Sequence, residues 1–187
     1  MTATEPVATP ASSPEALARR IAVPVPRTAT PEAFKDAFRL HPAGIALITA
    51  LTADGPVGLT ASSVASVSAD PPALAFSVTR ATGSAGGILS APTHLVHLLD
   101  AAHVGLADVF AHSGTDRFTP EQGWSALTTG EPHLPSARVA LRCRILQSTP
   151  VGSSVLVLAE VLEIHAGEPG EPVAYLDRAY RALSDPS

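Results

Sequence analysis

The sequence is poor in cysteine, in aromatic residues and in clustered positive charge, and each shortage removes a class of function. A single cysteine, Cys143, excludes a disulfide framework within one chain. It sits in the apolar alternation of residues 139–146 beside Arg142 and Arg144, and reads as a small buried hydrophobe rather than a nucleophile. Aromatic residues make up only 4% of the chain, and the 12 lysines and arginines are scattered, Arg19-Arg20 being the one local pair. Nucleic acid is therefore not an expected partner. No apolar run approaches the roughly 20 residues that a membrane-crossing helix needs, and no secretory apolar segment is present. Together with the lone cysteine, this makes the cytoplasm the expected location. A P-loop, a GxGxxG dinucleotide fingerprint and a GxSxG nucleophile elbow are all missing. Gly152-Ser153-Ser154 falls in an expected hairpin, so a serine hydrolase carries little weight. The seven histidines form no metal site. The closest pair, His94 and His97, falls on an expected strand, where the two side chains point to opposite faces.

What is present is apolar and small. Of 187 residues, 45% are apolar, and the net charge is −5, a balance that supports one well-packed domain. Residues 1–30, rich in Pro, Ala, Ser and Thr, read as a disordered or extended arm. Residues 31–187 then form the domain. Thr30-Pro31-Glu32 supplies a hydroxyl cap, a proline at the first helical position and an acidic first turn. The helix this starts runs to His41-Pro42. Strands are expected at residues 44–53 and, across the Asp54-Gly55 hairpin signal, from Pro56 onward. Further strands fall at 63–68, 73–78 and 93–99, and two long ones at 137–148 and 153–166, joined by a hairpin over 149–152. A short helix is expected near 87–90, a longer one over 102–112, and loop over 113–135 anchored by Phe118 and Trp124. The tail 175–183 reads as a strand end plus a short helix. The sum is a mainly β sandwich or barrel with peripheral helices.

Two segments carry chemistry. Thr60-Ala61-Ser62-Ser63 directly follows a strand, where small hydroxyl residues let the backbone approach a planar ligand and donate to ring carbonyls; it also fits an ordinary polar strand end. Residues 80–87, Arg-Ala-Thr-Gly-Ser-Ala-Gly-Gly, open into a helix and offer amides and hydroxyls to an anion such as a phosphate, as flexible loops also do.

The order of these features closely resembles the flavin reductase-like family. The resemblance runs from Pro42–Thr49 through Gly58–Ser63, Ser66-Val67-Ser68 and Asp70–Leu74. It continues through Ser84 and Ile88, Val96–Leu99, Leu106-Ala107 with Phe110-Ala111, Asp116-Arg117-Phe118, Trp124, Gly130-Glu131-Pro132 and Leu134, to Tyr175 and Arg178–Tyr180. It covers the chain from about residue 34 onward. It implies an FMN-binding split β-barrel with Greek-key-like antiparallel strands, working as a homodimer. It further implies reduction of FMN, or FAD, by NADH or NADPH, with the reduced flavin passing to a separate monooxygenase. By position, Thr60, Ala61, Ser62 and Ser63 would meet the isoalloxazine and ribityl chain, flanked by Ser77, Val78 and Thr79. Arg80, Thr82 and Ser84 would lie near the phosphate, and Asp116, Arg117 and Phe118 would approach from the following loop. Where many members carry Gly-Asp-His beside the nicotinamide, this chain has Gly152-Ser153-Ser154. Ser154, His97, His103 and Tyr180 are then the candidates for positioning the nicotinamide. The departure also leaves open a flavin enzyme acting directly on an organic substrate, or a non-catalytic flavin-binding protein. No metal site is expected.

Overall fold

The computed structural model describes residues 28–183. The expected N-terminal arm therefore lies outside the described residues, apart from Thr28–Thr30. By its internal contacts the chain divides into residues 1–36 and 37–187. In the first, the described part is the start of helix α1 (Pro31–Arg39). The Thr30 hydroxyl accepts from the Ala33 N–H at 3.2 Å, the cap that the sequence announces.

In the second unit, alternating small and β-branched residues build a seven-stranded, wholly antiparallel sheet. Its strands are β2 (Ala46–Thr52), β3 (Gly55–Ala61), β4 (Ala65–Ala69), β5 (Pro72–Thr79), β6 (His94–Leu98), β9 (Val139–Val151) and β10 (Ser154–Ala166), in the order β3-β2-β6-β9-β10-β5-β4. The sheet does not close into a full cylinder; this is the split, mainly β barrel that the sequence leads one to expect. A small three-stranded sheet pairs β1 (Ala43–Gly44) with the C-terminal hairpin of β11 (Val173–Leu176) and β12 (Ala179–Ala182). Two short strands, β7 (Ser125–Ala126) and β8 (Pro132–His133), pair within the long loop.

Two apolar clusters hold this together. One, with Ile48, Phe76, Val78, Ile88, Val96, Cys143 and Val157, fills the inside of the large sheet under helix α2 (Gly83–Ser90). The other packs Leu47, Phe110 and Leu134 with Phe118, Trp124 and the tyrosines of β11 and β12 around helix α3 (Val104–Ala111). Cys143 is fully buried and burial pushes its thiol up to about 12, as befits a packing residue.

Three elements differ from expectation. Helix α2 begins four residues earlier than the position expected near Gly87. Its glycines are poor helix formers, but a Cβ on Gly87 would stand 3.0–3.2 Å from Val57 and Thr52, so their absence lets the helix lie close on β2 and β3. The β9–β10 hairpin turns on Gly152-Ser153 alone, because residues 149–151 continue the ladder opposite 154–156. The tail forms a β-hairpin and no helix, since β1 offers Ala43 and Gly44 as partners to Tyr175 and Ala174.

A buried charge braces the middle of the sheet. Glu131 is 2% exposed and accepts hydrogen bonds from Thr93 Oγ1 (2.5 Å), Thr129 Oγ1 and Arg142 Nε (2.7 Å). Burial alone would raise its pKa, but these donors hold the carboxyl down to about 2. Glu131→Ala strips the largely buried Arg142 of this partner, leaving Glu163 at 2.9 Å. Urea denaturation at neutral pH should then read a loss of roughly 3 kcal/mol.

Candidate functional site

Strand alternation decides which of the predicted ligand residues face outward. Ala61 and Val78 point into the core and can offer only backbone, whereas Ser62, Ser63, Ser77 and Thr79 are exposed. Ser63 Oγ donates to the Ser77 carbonyl (3.1 Å) and accepts from the Ser77 N–H (2.9 Å), clasping the chain that leaves β3 to β5. In the ladder Ser77 stands opposite Leu156, and Thr79 opposite Ser154, so their side chains share a face. Thr79 Oγ1 and Ser154 Oγ are 3.4 Å apart. The structure thus brings Ser63, Ser77, Thr79 and Ser154 onto one outward surface.

The loop that follows is shaped around its backbone. Arg80 and Gly83 both take left-handed conformations, with φ of 55° and 57°. The Arg80 N–H donates to the Ser153 carbonyl at 2.9 Å, tying the loop to the β9–β10 turn. Thr82 occupies the cap position of α2 in extended conformation, yet its side chain makes no capping bond. The first amides of α2 are therefore left for another acceptor. Thr82 and Ser84 stand at this uncapped helix start and Arg80 two residues before it, residue types suited to an anion.

Arg117 and Phe118 serve the site from behind. Arg117 Nη1 donates to the Gly58 carbonyl (2.9 Å) and to Ser84 Oγ (3.1 Å), Nη2 donates to the His112 carbonyl, and the guanidinium stands 5.3 Å over the Phe110 ring. Burial pushes its pKa below the ordinary arginine value. Gly58 leaves the room this packing needs, since a Cβ there would lie 2.7 Å from Phe110. Phe118 packs against Phe110 and Trp124, with ring centroids 5.0 and 4.9 Å apart. Asp116 gives its carbonyl to Gln122 Nε2 at 3.0 Å, and its side chain is exposed. Of the three, it is Arg117 that reaches the start of α2, and it does so by bracing Ser84.

Beside the clasp lies a cleft of about 300 Å³. Thr60 and Ser62 form one wall, Asp108 of α3 and His112 just past its end another, and Tyr175, Arg178 and Tyr180 a third. Thr60 Oγ1 is spent on the Ala107 carbonyl at 2.5 Å, which fixes α3 against β3. The Tyr175 and Tyr180 rings meet edge-on with centroids 5.2 Å apart. Burial, then the Asp108 charge and Tyr175, raise the pKa of the Tyr180 phenol.

Two of the four candidates for positioning a nicotinamide fall elsewhere. His97 is fully buried: its Nδ1 is 3.0 Å from the Leu47 carbonyl, and its Nε2 accepts from the Leu134 N–H at 3.1 Å. Both nitrogens are used, so this ring is a neutral fastener between β2 and the loop before β9. His103 is 9% exposed and held by Asp100 Oδ1 (2.7 Å) and Ser136 Oγ (3.0 Å), again away from the cleft. Tyr180 and Ser154 stay accessible, one in the cleft and one on the outward surface. Asp108 and His112 are cleft residues that sequence reasoning did not single out as a pair; their i, i+4 spacing on an expected helix was the signal. Among the described residues no group of His, Cys, Asp and Glu is arranged to hold a metal ion, and no helix is long and apolar enough to cross a membrane.

Comparison with known proteins agrees with this fold. Residues 38–184 match the family described as "Flavin reductase like domain". An NADH:FMN oxidoreductase of Rhodococcus qingshengii is 38% identical over 141 residues, covering 75% of this chain and 73% of the relative. The actinorhodin polyketide dimerase of Streptomyces coelicolor is 34% identical, covering 80% of this chain and 84% of the relative. The crystal structure of a flavin reductase domain protein from Arthrobacter sp. FB24 superposes with a TM-score of 0.79 at 33% identity, covering 84% of this chain and 98% of that one.

Proposed function

The chain belongs to the flavin reductase-like family, and on that premise we propose that it is an oxidoreductase that reduces FMN with NADH. The observation that carries this reading is the uncapped start of α2 directly beside the outward surface of Ser63, Ser77, Thr79 and Ser154. The donor set fits FMN: an anion-seeking helix start for a phosphate, and a row of small hydroxyls and amides for a polar, planar ring. Thr82, Ser84, Arg80 and the first amides of α2 hold the phosphate. Ser62, Ser63, Ser77 and Thr79, with the backbone at Ala61 and Val78, line the ring and the sugar-like chain. When bound, FMN supplies the redox chemistry, taking up hydride from the reduced nicotinamide.

The protein's own part is to position. The small residues leave the ring's face open, so the nicotinamide can come within the ~3–3.5 Å at which transfer becomes effectively intramolecular. Amides and hydroxyls at the ring edge favour the charge that develops on reduction. Ser154 and Tyr180 are the groups that would orient the nicotinamide. We propose also that two copies pair, and that the reduced flavin serves a separate monooxygenase. The support for pairing is the outer half of β9, which lacks a second strand neighbour beyond Cys143, and the apolar residues exposed on this hairpin: Leu146, Val151, Leu156 and Ile164. Light scattering would show twice the chain mass.

Ser154 in place of the family's histidine, and likeness to a polyketide dimerase, favour a second reading, in which bound flavin acts directly on an organic substrate. Steady-state NADH oxidation separates the two. Turnover with FMN as acceptor, saturating in both substrates, is the expected result. Protein that binds FMN yet oxidises neither NADH nor NADPH would overturn the first reading in favour of the second.

A further inference from the structure

Resting on that reading of the site, we infer that Arg178 is a specificity-determining residue that takes a phosphate of the nicotinamide nucleotide. The β11–β12 hairpin turns on Asp177-Arg178, with Leu176 and Ala179 as the closing pair. Both turn residues are left-handed, with φ of 50° and 61°. Such a turn favours asparagine or aspartate followed by glycine. Asp177 is well accommodated: its N–H donates to the Arg39 carbonyl at 2.9 Å, and its carboxylate lies 3.5 Å from Arg39 Nε. Arg178 has no such compensation. Its backbone is in the conformation that glycine would adopt freely, and among the described residues no hydrogen bond or ion pair engages its guanidinium.

The side chain held at this cost lines the cleft with Thr60, Ser62, Tyr175 and Tyr180. Of the other charged groups there, Asp108 faces His112 across 3.7 Å, so Arg178 is the cleft's permanent and unspent positive charge. Strain kept at a ligand-facing residue points to a ligand that uses it. A guanidinium is suited to two parallel hydrogen bonds to phosphate oxygens. The flavin phosphate already has its seat at the start of α2. The second phosphate-bearing molecule of the reaction is the reduced nicotinamide nucleotide, which must enter beside Thr60 and Ser62.

The test is Arg178→Gly. Because glycine relaxes the turn, the thermal midpoint should rise by about 2–4 °C. The KM for NADH should rise about tenfold, with kcat and the FMN dissociation constant within twofold of wild type. Arg178→Gln, which removes the charge and keeps the strained turn, should raise KM similarly without the thermal gain. With 1-benzyl-1,4-dihydronicotinamide, a hydride donor that has no phosphate, KM should be the same in all three proteins. An unchanged KM for NADH overturns the inference, as does an equal rise for both donors. A weakened affinity for FMN but not for riboflavin assigns Arg178 to the flavin phosphate instead, and overturns it too. Calorimetric titration of NAD+, which carries the same phosphates and has no hydride to give, into FMN-loaded protein reads the same contact without turnover. A failure of the reductase reading, seen first in the wild type, is thereby kept apart from a failure of this one.

Discussion

Thr82→Asp is expected to weaken FMN binding about 100-fold while leaving riboflavin affinity unchanged and the fold at least as stable. Thr82 stands at the cap of α2 without using its side chain there. Aspartate is among the best capping residues, and its negative charge sits well at the positive end of a helix. The same carboxylate would occupy the seat proposed above for the flavin's phosphate. A full negative charge a few ångström from a phosphate dianion, at an interface half open to water, costs on the order of 2–3 kcal/mol, which is the 100-fold loss. Riboflavin lacks the phosphate and serves as the internal control. Thr82→Asn caps without charge and should bind FMN nearly as well as wild type. Fluorescence titration with both flavins decides: an equal loss for the two, or none for FMN, would move the phosphate away from α2.

Stability should fall steeply on the acid side, through two histidines buried in the sheet. His94 and His97 are both fully buried on β6, and burial lowers each pKa from 6.5 to about 4; for His97 the Leu47 carbonyl offsets part of this. The sign follows directly. Between pH 6.5 and 4 the unfolded chain protonates these rings and the folded chain does not, so the unfolded state binds more protons and gains on acidification. Stability is thus fully present above pH 6.5 and is lost as pH falls towards 4, by up to about 3 kcal/mol for each ring. His94 is the better probe. Neither of its nitrogens has a hydrogen-bond partner, and its ring lies edge-on to Phe76 at 5.4 Å. His94→Leu removes the titration and two unpartnered polar atoms at similar volume. Urea unfolding at pH 7 and pH 4.5 should show about half the wild-type drop in the variant, and an equal drop in both would exclude His94 as a source. Glu131 acts in a separate window, since its carboxyl, held near 2, gives up its contribution only below the usual carboxylate range.

Much of this was legible in the sequence because it follows from local rules. The cap at Thr30 and the burial of Cys143 need only period and propensity; the alternation that turns Ala61 and Val78 inward, away from their expected place beside Ser77 and Thr79, came with the folded strands. The opposite facing of His94 and His97 held as well, with His94 against Phe76 in one cluster and His97 against Trp124 in the other. What was not legible depended on partners far along the chain. His97 looks like any accessible histidine until β2 and Leu134 close on both its nitrogens. The first half of helix α2 reads as loop, although Val57 and Thr52 supply the surface on which Gly87 lets the whole helix lie. The tail reads as helical until β1 pairs with it. Arg117 is expected only to approach the flavin from its loop, and its bracing contacts emerge once Gly58 and His112 are folded next to it.

The three-stranded sheet has an evolutionary corollary. Tyr175, Arg178 and Tyr180 reach the cleft from a hairpin that hydrogen-bonds to β1 and is not a member of the seven-stranded sheet. The outward-facing Ser77 and Thr79, by contrast, belong to β5 of the large sheet. On the function proposed above, the two halves of the reaction would be carried on separate sheets. Choice of reductant can drift through a surface turn of two residues while the flavin seat stays fixed, and swapping the segment 173–182 between relatives becomes a route to new donor preference in an unaltered barrel.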